Sequence, residues 1–424
     1  MSEELNKKES KIFFYILMIT VFFNIWFPKA GIKIAGIPLT IGNVFFGVLF
    51  VIWILKKIRK PIKINKIGVV IIIGILYFFV RLIIPYFYGE TSLSDLMGYL
   101  IPLVVYPLIY FIIIDTVDTE EKMEKIIKII VWGFFFLTLY ALLQYIFGIN
   151  TVAIPGLTVN LTDYKELGEY WFLQKSNGSD TANAKIVGTY QNGNLFGIGI
   201  LLIYPLVYNY LNQKKKNKLM ILSLILFVVT VFLTLSRSCW LGIFLFIFIE
   251  IMLKRTKNKK SILLKIFIII FFVLGIIVVF EYVPSVANRF YGTDASDWIS
   301  MSGRTEGIIE VFSTISETNN IFAYIIGPYG IAEYSGLAYE VLWLSVFVKA
   351  GIIGMILLYY IFIKAISNFK SKNYITHSIR IAIIIWLIVA FIECGYWLPP
   401  AALNIFMLIG LGYAQNEIER KKQK

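Results

Sequence analysis

The chain has 424 residues, of which 58% are hydrophobic, 17% aromatic and only 16% charged, with a mean hydropathy of +0.78. A soluble domain carries about a quarter charged residues, and one soluble core rarely grows past about 250–300 residues, so a soluble enzyme and a disordered chain are both excluded. The apolar residues come in unbroken runs rather than the alternation of a membrane β-barrel. Two cysteines (Cys239, Cys394) and one histidine (His377) are too few for a cysteine/histidine metal cage, or for a nucleophile–histidine site beyond the reach of His377. The formal charge of +14 invites a nucleic-acid reading, but its distribution answers to the membrane instead.

A helix needs about 20 mainly apolar residues to cross a bilayer. That filter predicts a single integral membrane domain over 1–424, all-α and polytopic, with about 12 transmembrane helices. In chain order they are 12–28, 36–55, 67–87, 97–114, 126–147, 193–211, 219–235, 239–253, 265–282, 341–363, 380–397 and 399–413. The first is too long, and too poorly followed by small residues, for a removable signal peptide. Thirty of the 40 basic residues fall in the two tails and in every second connection, including KKIRKPIKINK at 56–66 and KKKNK at 214–218. The positive-inside rule then puts both termini in the cytoplasm. Two connections on the opposite side, an outer loop over 148–192 and a large outer loop over 283–340 with short helices, are too long for turns. They are expected to fold over the membrane mouth.

Four segments on the outer side carry the chemistry. GTYQNGNLFGIGILL at 188–202 leads into the sixth span, whose N-terminus faces outward; Tyr190, Gln191, Asn192 and Asn194 there suit helix capping or sugar hydroxyls. LTLSRSCWLG at 233–242 is a polar knot between two apolar helices, and its Arg237 has the planar fork that meets a phosphate bidentately. MSGRTEGIIEVF at 301–312 is read as Ser302-Gly303-Arg304 opening a short helix, an anion site with Arg304 beside it. EYSGLAYEVLWLSVFVKAGIIGMILL at 333–358 brings Tyr339 and Glu340 to the point of membrane re-entry, where a carboxylate above an apolar wall suits general-base work. Below it the Gly351-Ile-Ile-Gly354 step permits close helix packing. Arg81 and Lys349 lie within apolar spans, and each either snorkels to headgroups or serves a site.

In this order, these segments resemble the superfamily of O-antigen polymerases and O-antigen ligases of the bacterial envelope. The family's Gly-Thr-aromatic…Asn entry helix, Leu-Thr-x-Ser-Arg-x-x-Trp turn, Ser-Gly-Arg loop motif and Gly-Ile-Ile-Gly helix correspond to 188–194, 233–240, 302–304 and 351–354. The resemblance covers about 190–360 by motif and the whole chain by topology. It implies a bundle like the C-type glycosyltransferases in the bacterial cytoplasmic membrane, acting at its outer face on sugars carried by undecaprenyl diphosphate. It implies no metal and no cofactor. Arg237 and Arg304 take the places of the arginines that hold the diphosphate, with Arg289, Tyr190, Gln191, Asn194, Tyr339 and Arg81 as further substrate contacts. A flippase and a chain-length regulator are the implied protein partners, and nucleic acid is not among them. Ligases carry His-Asn about twelve residues before the first glycine of the Gly-Ile-Ile-Gly step; here Tyr339-Glu340 stands there, with Glu340 as the base. This departure favours polymerisation of lipid-linked repeat units over transfer to another acceptor. A lipid-linked oligosaccharide flippase or other transporter is the competing class.

Overall fold

The computed structural model describes residues 2–34, 37–58, 64–167, 185–190, 192–252, 295–317, 320–328, 341–369, 373–393 and 401–423. Gln191, Arg289, Tyr339, Glu340, Cys394 and the predicted span 265–282 lie outside them, as does the side chain of Arg304.

The described chain is helical save for one hairpin. In order it forms α1 (Ser2–Trp26), β1 (Gly31–Ile34), β2 (Ile37–Thr40), α2 (Ile41–Ile58), α3 (Lys66–Phe87), α4 (Leu93–Thr116), α5 (Glu120–Phe147) and the short α6 (Ile149–Val152) and α7 (Leu161–Leu167). There follow α8 (Gly193–Gln213), α9 (Asn217–Leu233), α10 (Arg237–Ile247, continued by a π turn, Phe248–Met252), α11 (Ala295–Glu317), α12 (Ile321–Ile326), α13 (Leu342–Asn368), α14 (Tyr374–Ala390) and α15 (Ala401–Gln423). Among the described residues, α1 to α5, α8 and α13 are long and apolar enough to cross a membrane, and α9 and α14 are shorter apolar helices. The outer faces of these helices are apolar too. Val44, Val48, Val51 and Leu55 on α2, and Val69, Ile73, Leu76 and Val80 on α3, are exposed at helical spacing, a stripe that water would not tolerate and lipid does. The chain is an all-α polytopic membrane protein.

The core is built around α8 and α15. Every residue from Ala401 to Gln415 is buried, and 89% of the apolar stretch of α8 is enclosed by its neighbours. Both helices use small residues to admit close partners: a side chain at Gly197 would meet Cys239 Sγ at 2.6 Å, and one at Gly412 would meet the Phe369 ring at 2.4 Å. Tyr204, Phe227 and Phe246 tie α8, α9 and α10 together, the first two rings stacked at 3.8 Å.

Charged groups divide between the two ends. At one end Lys57 pairs with Asp115, Lys214 with Glu124 and Lys422 with Glu120, at 2.5–2.9 Å. At the other, β1 and β2 form an antiparallel hairpin with Gly31 opposite Thr40. The hairpin docks on the segment after α5: Gly31 N–H donates to Gly156 O (3.0 Å), Lys33 N–H to Thr162 Oγ1 (2.9 Å), and Lys33 pairs with Asp163.

Three expectations are corrected. The second span does not begin at 36, since Ile37–Thr40 is a strand and the helix starts at Ile41. The fourth is not a plain α-helix. Pro102 and Pro107 remove two backbone donors, and the helix passes through a π turn (Ile101–Val105) and a 3₁₀ turn (Tyr106–Leu108). Ser302-Gly303-Arg304 does not open a helix but lies inside α11, which runs 23 residues from Ala295. Gly303 costs about 1 kcal/mol against Ala in such an interior, too little to end a helix of this length, and no helix N-terminus exists there to hold an anion.

Candidate functional site

The polar knot between α9 and α10 is a tight turn. Leu235 sits at φ 53°, a left-handed conformation unusual for a branched side chain. Thr234 holds it: its Oγ1 donates to Val231 O (2.6 Å) and accepts from Ser236 N–H (3.3 Å). The turn delivers Arg237 as the first residue of α10, half-buried between the buried hydroxyls of Ser236 and Ser238, which lie 3.0 Å apart.

The entry to α8 lies against this turn. Asn192 caps the helix, its Oδ1 accepting from Leu195 N–H at 2.9 Å. Gly193 is compressed between Lys185 and the carbonyl of Thr234, where a Cβ would have atoms at 2.9 Å on both sides. Cys239 Sγ donates to Asn194 O at 3.6 Å. Glycine at 193 and 197 therefore lets the first turn of α8 touch the start of α10 directly.

Both elements converge on one carboxylate. Asn194 Nδ2 donates to Glu393 Oε1 (2.5 Å), and Ser238 Oγ donates to Glu393 Oε2 (3.2 Å). The buried ammonium of Lys185 donates to Asn194 Oδ1 at 3.3 Å. Glu393 follows the end of α14 and is half-buried. Asn194, Ser236, Arg237, Ser238, Lys185 and Glu393 thus form a single polar cluster at the hairpin end, with two cations and one anion. Glu393 and Lys185 were not among the residues predicted for the site. An acidic residue inside a predicted span is itself a signal, and FIECGYW supplied it.

Tyr190 stands elsewhere. It is 2% exposed, its ring edge-on to Phe196 and pressed on Gly199, which makes it a packing residue of α8 rather than a surface for substrate.

A second polar group joins α3, α12 and α13. Gly351 interrupts α13 with φ 60°, ψ −164°. The break admits the end of α12, whose Ile325 carbonyl would lie 2.3 Å from a Cβ at Gly351. Backbone freed at membrane depth needs internal partners, and α3 provides them. Tyr77 OH donates to Ala350 O (2.7 Å), while Arg81 Nε and Nη2 donate to Ile326 O and Gly327 O at 2.7 and 2.6 Å. Arg81 therefore braces the C-terminal carbonyls of α12. Beside it the buried Lys349 places Nζ 3.9 Å from the Tyr99 ring centroid, a cation–π contact, and Asp95 acts on it electrostatically. Trp343 and Phe391 stack at 6.1 Å, so the start of α13, just after Glu340 in the chain, adjoins the end of α14, just before Glu393.

Among the described residues no group of three or more His, Cys, Asp or Glu side chains is gathered for a metal ion. In comparisons with protein families, curated proteins and solved structures, nothing matches this chain.

Proposed function

We propose that the protein polymerises polyprenyl-diphosphate-linked oligosaccharide repeat units into a cell-surface polysaccharide, by glycosyl transfer at the outer face of the bacterial cytoplasmic membrane. The observation that carries this reading is the meeting of the entry-helix Asn194 and the Ser236-Arg237-Ser238 turn on one carboxylate, at the end of the bundle opposite the lysine-rich connections. In this reading a hydroxyl at the nonreducing end of one repeat attacks the anomeric carbon of another. The anomeric C–O bond to the diphosphate breaks and the polyprenyl diphosphate leaves with the bonding pair. Arg237 and Arg304 hold that diphosphate, and Glu340 takes the acceptor proton. Glu393 orients Asn194 and Ser238, the latter adjacent to Arg237 in the turn. Charge grows on the leaving diphosphate in the transition state, so loss of one arginine is expected to cost about 2.7–4 kcal/mol, the scale of a lost oxyanion donor.

The test is incubation of purified protein with a polyprenyl-diphosphate oligosaccharide, read by gel and mass. A ladder spaced by one repeat and lost in Arg237→Ala supports a polymerase. Transfer of a single block, only when a second acceptor is added, replaces it with a ligase. Untouched substrate with folded protein rejects both.

One observation favours a second reading. Discontinuous helices with satisfied backbone at membrane depth are a transporter device, and α13 is broken at Gly351 beside Arg81 and Lys349. A flippase for the same lipid-linked sugars would use that break.

A further inference from the structure

At the lysine-rich end a cavity of about 420 Å³ opens between α3, α13 and α15, lined by Asn65, Lys66, Lys364, Tyr413, Asn416 and Arg420, with Glu417 at its edge. Its volume is within the usual range of a ligand pocket. Several ammonium groups of this end are matched to carboxylates: Lys57 to Asp115, Lys122 to Asp118, Lys125 to Glu121 and Lys128 to Glu124. Lys66 and Lys364 are not; neither has an ion-pair partner among the described residues. Glu417, the one acid of the lining, is already paired with Arg420 at 2.8 Å.

The neutral donors point the same way. Asn65 spends its Oδ1 on Gly68 N–H and Tyr110 OH (2.9 and 2.8 Å), which fixes the amide and leaves Nδ2 as a donor. Lys66 and Ile67 open α3, so their backbone N–H groups have no intrahelical partner. Two ammonium groups, an amide and a helix start converge on one cavity that holds a net positive charge. A second cavity of about 390 Å³ shares Asn65 and Glu417 with it and is lined also by Asp115, Asp118 and Lys421.

We propose that the α3–α13–α15 cavity is a phosphate-binding site, filled by the phosphodiester headgroup of an anionic membrane lipid. Its place at the lysine-rich end, beside the exposed apolar stripe of α3, would let the acyl chains stay in the bilayer while the headgroup turns inward.

The experiment is native mass spectrometry of the full-length protein released from vesicles of equal phosphatidylglycerol and phosphatidylcholine, with thermal unfolding in lipid-free detergent as a second arm. The expected result is selective retention of phosphatidylglycerol, reduced roughly thirtyfold in the Lys66→Gln/Lys364→Gln protein, about fivefold for each ammonium removed. Retention by the Lys66→Arg/Lys364→Arg protein separates loss of charge from loss of fold. Stabilisation by inorganic phosphate without lipid selectivity, absent in the double Gln variant, supports the site and assigns it a soluble phosphate. Equal retention of the two lipids by the unaltered protein, or unchanged phosphatidylglycerol retention in the double Gln variant, combined with no response to phosphate, overturns the proposal.

Discussion

Gly351→Ala is the sharpest test of the architecture. The residue holds φ 60°, ψ −164°, a region that only glycine occupies comfortably and that costs a residue with a side chain about 1–3 kcal/mol. The new methyl would also stand 2.3 Å from Ile325 O and 2.5 Å from Gly327 N, both backbone atoms that cannot rotate aside. Overpacking of this kind adds about 1–3 kcal/mol. The expected loss is therefore about 2–6 kcal/mol, through separation of α12 from α13. Gly47→Ala is the matched control, because Gly47 lies in α2 with nothing within 4 Å of its Cβ position; there alanine should gain about 0.5–1 kcal/mol. Both variants would be melted in the same detergent at one scan rate, with tryptophan fluorescence as the signal, since the transition is expected to be irreversible. A Gly351→Ala protein melting with the unaltered chain would refute the helix break and everything built on it.

Tyr77→Phe removes the hydroxyl that takes Ala350 O; a loss of about 0.6–1.7 kcal/mol is expected, the range of interhelical hydrogen bonds in membranes. The loss should shrink when Gly351→Ala is already present, because both act on one element. Asn194→Ala and Glu393→Ala meet in one hydrogen bond, so a double-mutant cycle on polymer yield should give a coupling of about 0.5–3 kcal/mol; independent effects would dissolve the cluster as a unit. Glu250 is buried at the π turn, accepts from Asn209 Nδ2, and has His377 Nε2 at 3.5 Å. Glu250→Gln keeps an acceptor for Asn209 and should change stability by less than about 1 kcal/mol. Glu250→Leu leaves that buried amide under-satisfied and should cost about 1–3 kcal/mol; thermal unfolding of the pair in one detergent decides it.

Long apolar runs declare their helices because a bilayer admits little else, and the predicted starts at 67, 193 and 341 fall within a residue of those of α3, α8 and α13. The knot at 234–238 was visible for the same reason, since polar residues between two spans have nowhere to go but the surface. Other features depend on partners distant in the chain. IPLT at 37–40 reads as the start of a span because short apolar strands and helix ends share a composition; what makes it a hairpin strand is its pairing with 31–34, which docks on Gly156, Thr162 and Asp163. Gly351 reads as a packing glycine, and only the approach of α12 turns it into a break. Glu393 was hidden by counting it into an apolar run whose helix ends earlier, at Ala390.

The two polar groups at the hairpin end differ in what they leave available, and that difference favours an enzyme over a transporter. Around Gly351, Nε and Nη2 of Arg81 and the hydroxyl of Tyr77 donate to backbone carbonyls, so the break is stitched shut by α3. A helix meant to hinge during transport would be poorly served by three such bonds. In the cluster of Asn194, Ser238 and Glu393, by contrast, the bonds run between side chains, and Arg237 and Glu393 are only half-buried. Side chains held at such a mouth can meet a charged headgroup without the backbone moving. The stacked Trp343 and Phe391 set the end of α14, just before Glu393, beside the start of α13. A lipid-linked diphosphate entering there would keep its prenyl chain against the apolar helix faces and its charge against Arg237. Arg237→Lys separates the two readings: a point charge is enough to attract the headgroup but cannot reproduce the bidentate fork. Substrate binding should survive while transfer falls, and equal loss of both would return the argument to transport.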